Sequence, residues 1–307
     1  MPSKATSIIY MGTPQFAVPP LEALVQNGYD VRAVITVADK PAGRGRKLQS
    51  SAVKVKADEL DIPVLQPLSL KDPSFLDALN GFDADLFIVV AFRMLPKEVW
   101  SMPRLGTFNL HGSLLPELRG AAPIHWAIIN GMKKTGLTTF FLDEQIDTGS
   151  ILLQREQTIM PEWTTGDLHD ALMPLGAELV LDTVQQLEAG TLMSYPQNEQ
   201  KASHAPKLTK GNTELDFSKS PTELIHQIKG LSPFPSAHYK GYKFLDAAPS
   251  MDLEKGTSTP KLVVVGKKLL LKYALGSVEI VEIKPEGKRA MRARDFINGM
   301  KTPDIQL

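Results

Sequence analysis

Short apolar runs alternate with helix-length amphipathic stretches through the N-terminal part of the chain, and this alternation restricts the fold more than any other feature. Ser7–Met11 reads as a buried strand, Ala17–Asn27 as a helix stopped by Gly28, and Asp30–Val37 as the next strand. Leu86–Ala91, Gly106–Leu110 and Leu137–Leu142 are further strand candidates, with helices expected near Ala52–Leu60, Ser74–Asn80 and Pro123–Asn130. Strands separated by helices fold as parallel βαβ units in a twisted, doubly wound α/β sheet, because parallel neighbours need a crossover. Ligands of such sheets bind outside the carboxyl ends of the strands, so the end of Gly106–Leu110 is where chemistry is expected.

After a long helix, Thr165–Leu187, and a loop over Met193–Lys210, the pattern changes. Apart from helices near Pro221–Lys229 and Met291–Gly299, the tail reads as short strands: Ala237–Leu245, Lys261–Val265, Lys268–Tyr273 and Ser277–Ile283. Close spacing of this kind predicts a small sheet or barrel. A chain of 307 residues exceeds what one core of at most about 250–300 residues serves, so two domains are expected, 1–205 and 206–307. No apolar run approaches the roughly 20 residues that span a bilayer, and Met1–Ser7 lacks the basic start of a signal peptide. A cytoplasmic location with no membrane partner is the expectation. With no cysteine there is no disulfide framework, thiolate nucleophile or thiolate metal site, and no metal is expected. The net charge of zero conceals an asymmetry: residues 1–205 carry 17 basic and 23 acidic side chains, the remainder 17 and 11, giving −6 and +6. The basic half reads equally as a surface for a polyanion or as an ordinary solvated domain.

Among candidate motifs, Gly12-Thr13-Pro14 supplies one glycine where a dinucleotide turn needs three, and neither a phosphate loop nor a hydrolase elbow occurs. The densest constellation is Asn109-Leu110-His111-Gly112-Ser113-Leu114-Leu115-Pro116, followed by Arg119-Gly120-Ala121-Ala122-Pro123. Alternation along a strand turns Asn109 and His111 to one face and Leu110 to the other. Asp147, in Asp147-Thr148-Gly149 after another strand, can approach that imidazole, orient it and equip it to carry a proton. The Asn109 amide can donate to an oxygen that gains charge as a carbonyl is attacked. Singly, each residue is ordinary; together they describe acyl transfer without a covalent enzyme intermediate.

These blocks resemble the folate-dependent formyltransferases, whose shared signature is similar to Asn-x-His-x-Ser-Leu-Leu-Pro with a downstream Asp-x-Gly. The resemblance extends over nearly the whole chain, through Lys40-Pro41-Ala42-Gly43-Arg44-Gly45-Arg46-Lys47-Leu48, Val64-Leu65-Gln66-Pro67 and Pro285-Glu286-Gly287-Lys288-Arg289-Ala290-Met291. It is strongest toward the branch that acts on initiator tRNA. It implies a Rossmann-like catalytic domain of the formyltransferase fold, then a small β-barrel of the oligonucleotide-binding (OB) type. It further implies 10-formyltetrahydrofolate as co-substrate, in a cleft beside Ser113, Leu114, Leu115 and Pro116, with its pterin near Phe92, Arg93, Met94 and Leu95. The implied acceptor is the α-amine of methionine esterified to initiator tRNA, and no DNA partner is implied. One segment departs from the pattern: many members carry Ala-Tyr-Gly-x-x-Leu-Pro, whereas Ala91-Phe92-Arg93-Met94-Leu95-Pro96 is one residue shorter and lacks the glycine.

The Asp39–Lys47 loop sets Arg44, Arg46 and Lys47 among Pro41, Gly43 and Gly45. Composition alone allows a solvated loop or a phosphate-binding arm. The resemblance implies an arm directed at the tRNA end, with Arg44 reaching the active site, and Lys207, Lys210, Lys288 and Arg289 as phosphate contacts. Two rivals remain: a transformylase for a small amine, such as glycinamide ribonucleotide or an aminosugar nucleotide, and a non-catalytic RNA-binding protein. The basic loop and tail speak against the first and the intact trio against the second.

Overall fold

A computed structural model describes residues 6–42, 47–252 and 258–307. Two compact units divide the chain: one formed by Met1–Gly120, Gly136–Gln157 and Asp170–His204, the other by Ala121–Thr135, Thr158–His169 and Ala205–Leu307.

The first unit is built on a seven-stranded sheet whose spatial order is Ile151–Thr158, Lys134–Phe141, Thr107–His111, Leu86–Val90, Ser7–Gly12, Asp30–Ile35 and Val64–Leu65. Ser7–Gly12 is buried along its whole length and pairs in parallel with Asp30–Ile35 on one side and Leu86–Val90 on the other. A strand covered on both faces has no solvent side, which explains the unbroken apolar runs Ile8–Met11 and Leu86–Val90. On one face Ile9, Met11, Ile35, Phe87 and Val89 pack with Phe75 and Leu79 of helix Pro73–Gly81. That helix starts where it does because the Asp72 carboxylate accepts the backbone N–H groups of Ser74 and Phe75, with Pro73 in its first turn.

The expected parallel βαβ pattern does not continue past Thr107–His111. Thr107–His111 is parallel to Leu86–Val90 but antiparallel to Lys134–Phe141, so the sheet is mixed. The reason lies in the connection: helix Pro123–Ile129, which follows Thr107–His111 in sequence, belongs to the second unit, where it packs with helix Pro221–Gly230. Strand Ile151–Thr158 is absent from the sequence reading because its polar second half, Gln154–Thr158, is largely exposed at the sheet edge and lacks an apolar run.

In the second unit the short strands form an antiparallel sheet, ordered Ala237–Tyr239, Tyr242–Pro249, Gly276–Lys284, Lys268–Tyr273, Lys261–Val265 and Asp304–Gln306, with Met291–Arg292 also paired to Gly276–Lys284. Leu224, Ile225 and Ile228 of helix Pro221–Gly230 join a core with Phe244, Leu269, Leu271, Tyr273 and Ile280. A reciprocal cap starts the helix, the Ser220 hydroxyl accepting Glu223 N–H while the Glu223 carboxylate accepts Ser220 N–H. Ala237–Leu245, read as one strand, is a hairpin instead. Lys240 and Gly241 take φ values of 42° and 81°, the left-handed pair that a two-residue hairpin turn demands.

Asp85 ties the start of the first strand to the centre of the sheet, its carboxylate accepting Ser7 N–H at 3.0 Å, Ser7 Oγ at 2.8 Å and Arg104 Nε at 2.6 Å. Burial raises its pKa, but these donors outweigh that effect and hold it at about 2. A carboxyl depressed in the folded state stabilises the protein above its unfolded value near 4, and that contribution is lost as pH falls through about 2. Asp85→Asn is therefore expected to lower stability at pH 7 by about 1–2 kcal/mol in urea unfolding. The gap from the parent should narrow as pH is lowered from about 5 to 3.

Candidate active site

Strand Thr107–His111 carries Asn109 and His111 on one side, while Leu110 points to the other, where it and Leu137 approach Gly176 of helix Thr165–Glu188. No hydrogen-bond partner holds the Asn109 side chain among the described residues, so its amide is available to a ligand.

His111 is 6% exposed and edge-on to Phe140, with ring centroids 6.3 Å apart. Its Nε2 lies 2.9 Å from the carbonyl oxygen of Leu118. A carbonyl can only accept, so Nε2 carries a hydrogen and Nδ1 is the atom free to take or release a proton. Nδ1 faces Asp147 Oδ2 at 3.7 Å, within ion-pair range of a protonated ring but longer than a direct hydrogen bond. Asp147 is itself placed by the backbone: Gly120 N–H donates to Oδ2 at 2.8 Å. Asp147 has φ of 57°, a left-handed conformation that Asp tolerates better than most residues.

The Asp-x-Gly spacing has a steric cause. A Cβ on Gly149 would stand 1.7 Å from the carbonyl oxygen of Phe141, so only glycine lets the 147–149 turn lie against the end of strand Lys134–Phe141. The Gly112–Pro116 loop is braced from below by Thr138, whose hydroxyl donates to Ser113 O at 2.7 Å and accepts Leu115 N–H at 3.0 Å. Ser113 is fully buried and its hydroxyl donates to Glu117 O; Leu115 packs with Phe140 and Ile151. Leu114 and Pro116 are partly exposed. In the shortened segment, Leu95 is buried, Phe92 packs against the same core and Met94 is exposed. Arg93 turns back over Phe92, its centre 5.5 Å from the ring, and donates to the carbonyls of Pro67 and Leu68.

The structure thus brings together Asn109, His111 and Asp147. Arg44 and Arg46 lie outside the described residues, between strands Lys40–Ala42 and Lys47–Gln49, which pair antiparallel. Lys47 opens the second of these. Lys207, Lys210, Lys288 and Arg289 are exposed on the second unit. Lys207 and Lys210 line a cleft of about 620 Å³ there, with His125, Phe234 and Lys243. The sequence reading missed Gln197 and the hydrogen-bonding work of Arg119 and Gly120; no periodicity or motif marks Gln197, whose role depends on a contact fifty residues distant.

A formyl transferase family model matches residues 6–184, and a model of the formyl transferase C-terminal domain matches residues 207–301. A methionyl-tRNA formyltransferase of Flavobacterium psychrophilum is 46% identical over 309 residues, covering 97% of each chain. One from Bacteroides fragilis is 43% identical, covering 95% of this chain and 94% of its own. Among solved structures, the sugar 3N-formyl transferase WlaRD, determined with dTDP and 5-N-formyl-THF, superposes with a TM-score of 0.69 at 18% identity, covering 94% of this chain and 100% of that one. HypX from Aquifex aeolicus in complex with tetrahydrofolic acid gives 0.65 at 17%, covering 96% of this chain and 47% of that chain. At such low identity the structural likeness shows the fold. The sequence relatives go further: with two family models and end-to-end identity of this degree, the chain belongs to the formyl transferase family, in its methionyl-tRNA formyltransferase group.

Proposed function

We propose that the chain transfers the formyl group of 10-formyltetrahydrofolate to the α-amine of methionine esterified to initiator tRNA, giving N-formylmethionyl-tRNA for translation initiation. The observation that carries this reading is the convergence of Asn109, His111 and Asp147 at one strand end in a chain similar throughout to methionyl-tRNA formyltransferases. As the amine attacks the formyl carbon, its oxygen gains negative charge, and the unpartnered Asn109 amide donates to it. One proton must leave the amine and one must reach the departing folate nitrogen. His111 Nδ1 is the carrier, since Nε2 is committed to Leu118, and Asp147 stabilises the ring while charged. In this reading the folate lies along Ser113, Leu114, Leu115 and Pro116, with Ser113 and Leu115 contributing backbone groups and their side chains shaping the loop. The pterin meets Phe92, Met94 and Leu95, while Arg93 acts on the 67–68 backbone.

The tRNA reading assigns catalysis to residues 1–205 and RNA binding to 206–307, the antiparallel sheet of the tail being of the OB type. Its support is the match of residues 207–301 to the formyl transferase C-terminal model and the exposed Lys207, Lys210, Lys288 and Arg289. Arg44, Arg46 and Lys47 complete the proposed contact with the acceptor end. The proposed setting is the cytoplasm, where charged tRNA is found; no helix among the described residues is long and apolar enough to cross a membrane.

With 10-formyltetrahydrofolate as donor, charged initiator tRNA should be formylated and glycinamide ribonucleotide left unreacted; preference for the ribonucleotide would overturn the acceptor assignment. His111→Ala should lower kcat by about 10²–10⁴-fold. For Asn109→Ala the expected loss is about 10²–10³-fold, and near-parent turnover in either variant sinks the mechanism. Gly149→Ala should be both less active and less stable, by roughly 2 kcal/mol or more in thermal unfolding, because the added carbon displaces the Phe141 carbonyl contact. Finally, log(kcat/KM) for tRNA should fall linearly with log salt, with a shallower slope when Lys207 and Lys210 are replaced by Ala.

A further inference from the structure

Arg119 is almost completely buried, with a side chain only 7% exposed, and has no part in the proton and oxyanion steps. Its guanidinium donates from Nε at 3.0 Å and Nη2 at 2.7 Å to Oε1 of Gln197. Nη1 and Nη2 also fork onto the two carboxylate oxygens of Glu199, at 2.9 and 2.7 Å. Gln197 in turn donates from Nε2 to the backbone carbonyls of Asp147, at 2.9 Å, and Gly149, at 2.8 Å. Every hydrogen-bonding position of this amide is therefore filled, two accepted and two donated. Its orientation has no alternative, because a guanidinium can only donate and carbonyls can only accept.

The segment that carries Gln197 is registered against the same turn. Tyr195 exchanges both backbone hydrogen bonds with Ile151, at 2.9 and 3.0 Å, two residues before Gln197 and two beyond Gly149. Ser203 holds the other side of the assembly, its Oγ accepting Leu118 N–H and its carbonyl accepting Arg119 N–H, both at 2.9 Å. Leu118 and Gly120, the neighbours of Arg119, are the residues whose backbone touches His111 and Asp147. One short stretch thus contacts both proton-handling residues, and Gln197 links its side chain to the Asp147 turn.

We infer that Gln197, locked by Arg119, is a positioning residue for Asp147: it holds the 147–149 turn by its carbonyls, keeping the Asp147 carboxylate on Gly120 N–H and facing His111 Nδ1. The kinetic side of this inference rests on the proposed formyl transfer, and the structural side does not. Gln197→Glu keeps an acceptor for Arg119 but removes both donors to the turn, and Gln197→Ala removes everything. Both variants leave buried groups short of partners and should melt below the parent, yet at temperatures where they are fully folded each should lose about 10–100-fold in kcat, with KM for charged tRNA little changed. In an Asp147→Asn background, Gln197→Ala should add almost nothing, because the group it positions is already disabled. A merely structural side chain would instead show additive losses.

Amide hydrogen exchange reads the same contact without turnover. Gly120 N–H should exchange about 10-fold faster in Gln197→Ala while the buried amides of Ile88 and Phe108 keep their protection. Additive kinetics in the double variant, or unchanged Gly120 exchange, overturns the assignment. A parent protein unable to formylate charged tRNA would defeat the proposed function, and the exchange measurement would still decide this inference.

Discussion

Pairing of Thr107–His111 on both edges is the constraint from which the site follows. Leu86–Val90 grips it in parallel from Phe87↔Thr107 to Val90↔Leu110, and Lys134–Phe141 grips it antiparallel from Phe108↔Phe141 to His111↔Thr138. A strand held on two sides cannot slip by one residue, a shift that would turn Asn109 and His111 into the layer that Leu110 occupies. The antiparallel partner also places Thr138 opposite His111, where its hydroxyl anchors Ser113 and Leu115. Side-chain direction and loop shape therefore have one origin.

Around this strand, buried polar groups are handled in two ways. Arg119 is compensated by a carboxylate and an amide, and the hydrogen bonds it gives Glu199 hold that exposed carboxyl below its ordinary pKa. Removing a buried cation from water is unfavourable unless such partners are present, so Gln197 and Glu199 belong to the structure as much as Arg119 does. Arg93 is satisfied only in part: its terminal nitrogens reach the Pro67 and Leu68 carbonyls, while Nε is buried with no hydrogen-bond partner among the described residues. Burial lowers its pKa accordingly. The Ala91–Pro96 segment uses this arginine to tie itself to the neighbouring 67–68 backbone.

The second unit follows a different logic. Its sheet is antiparallel throughout the described pairs and is covered by helix Pro221–Gly230, whose apolar face supplies Leu224 and Ile228. The cleft holding Lys207, Lys210 and Lys243 has no carboxylate among its lining residues. A surface of that composition suits a phosphate-bearing partner.

Much of this was legible in the chain itself. Apolar runs covered on both faces mark Ser7–Gly12 and Leu86–Val90, and alternation places Asn109 and His111 on one side of a strand. Local periodicity carries such information because each residue reports its own burial. The antiparallel turn of the sheet, the polar edge strand Ile151–Thr158 and the Lys240-Gly241 hairpin were not visible in that way. Pairing direction depends on where a connection goes, and an exposed edge strand has no apolar pattern. The sequence by itself determined which residue types stand together at the end of strand Thr107–His111, since residue types and their strand spacing are local. Only the tertiary structure decided how they are held, because the Leu118 carbonyl, Gly120 N–H and Gln197 amide act through backbone atoms and long-range contacts that residue identity does not encode.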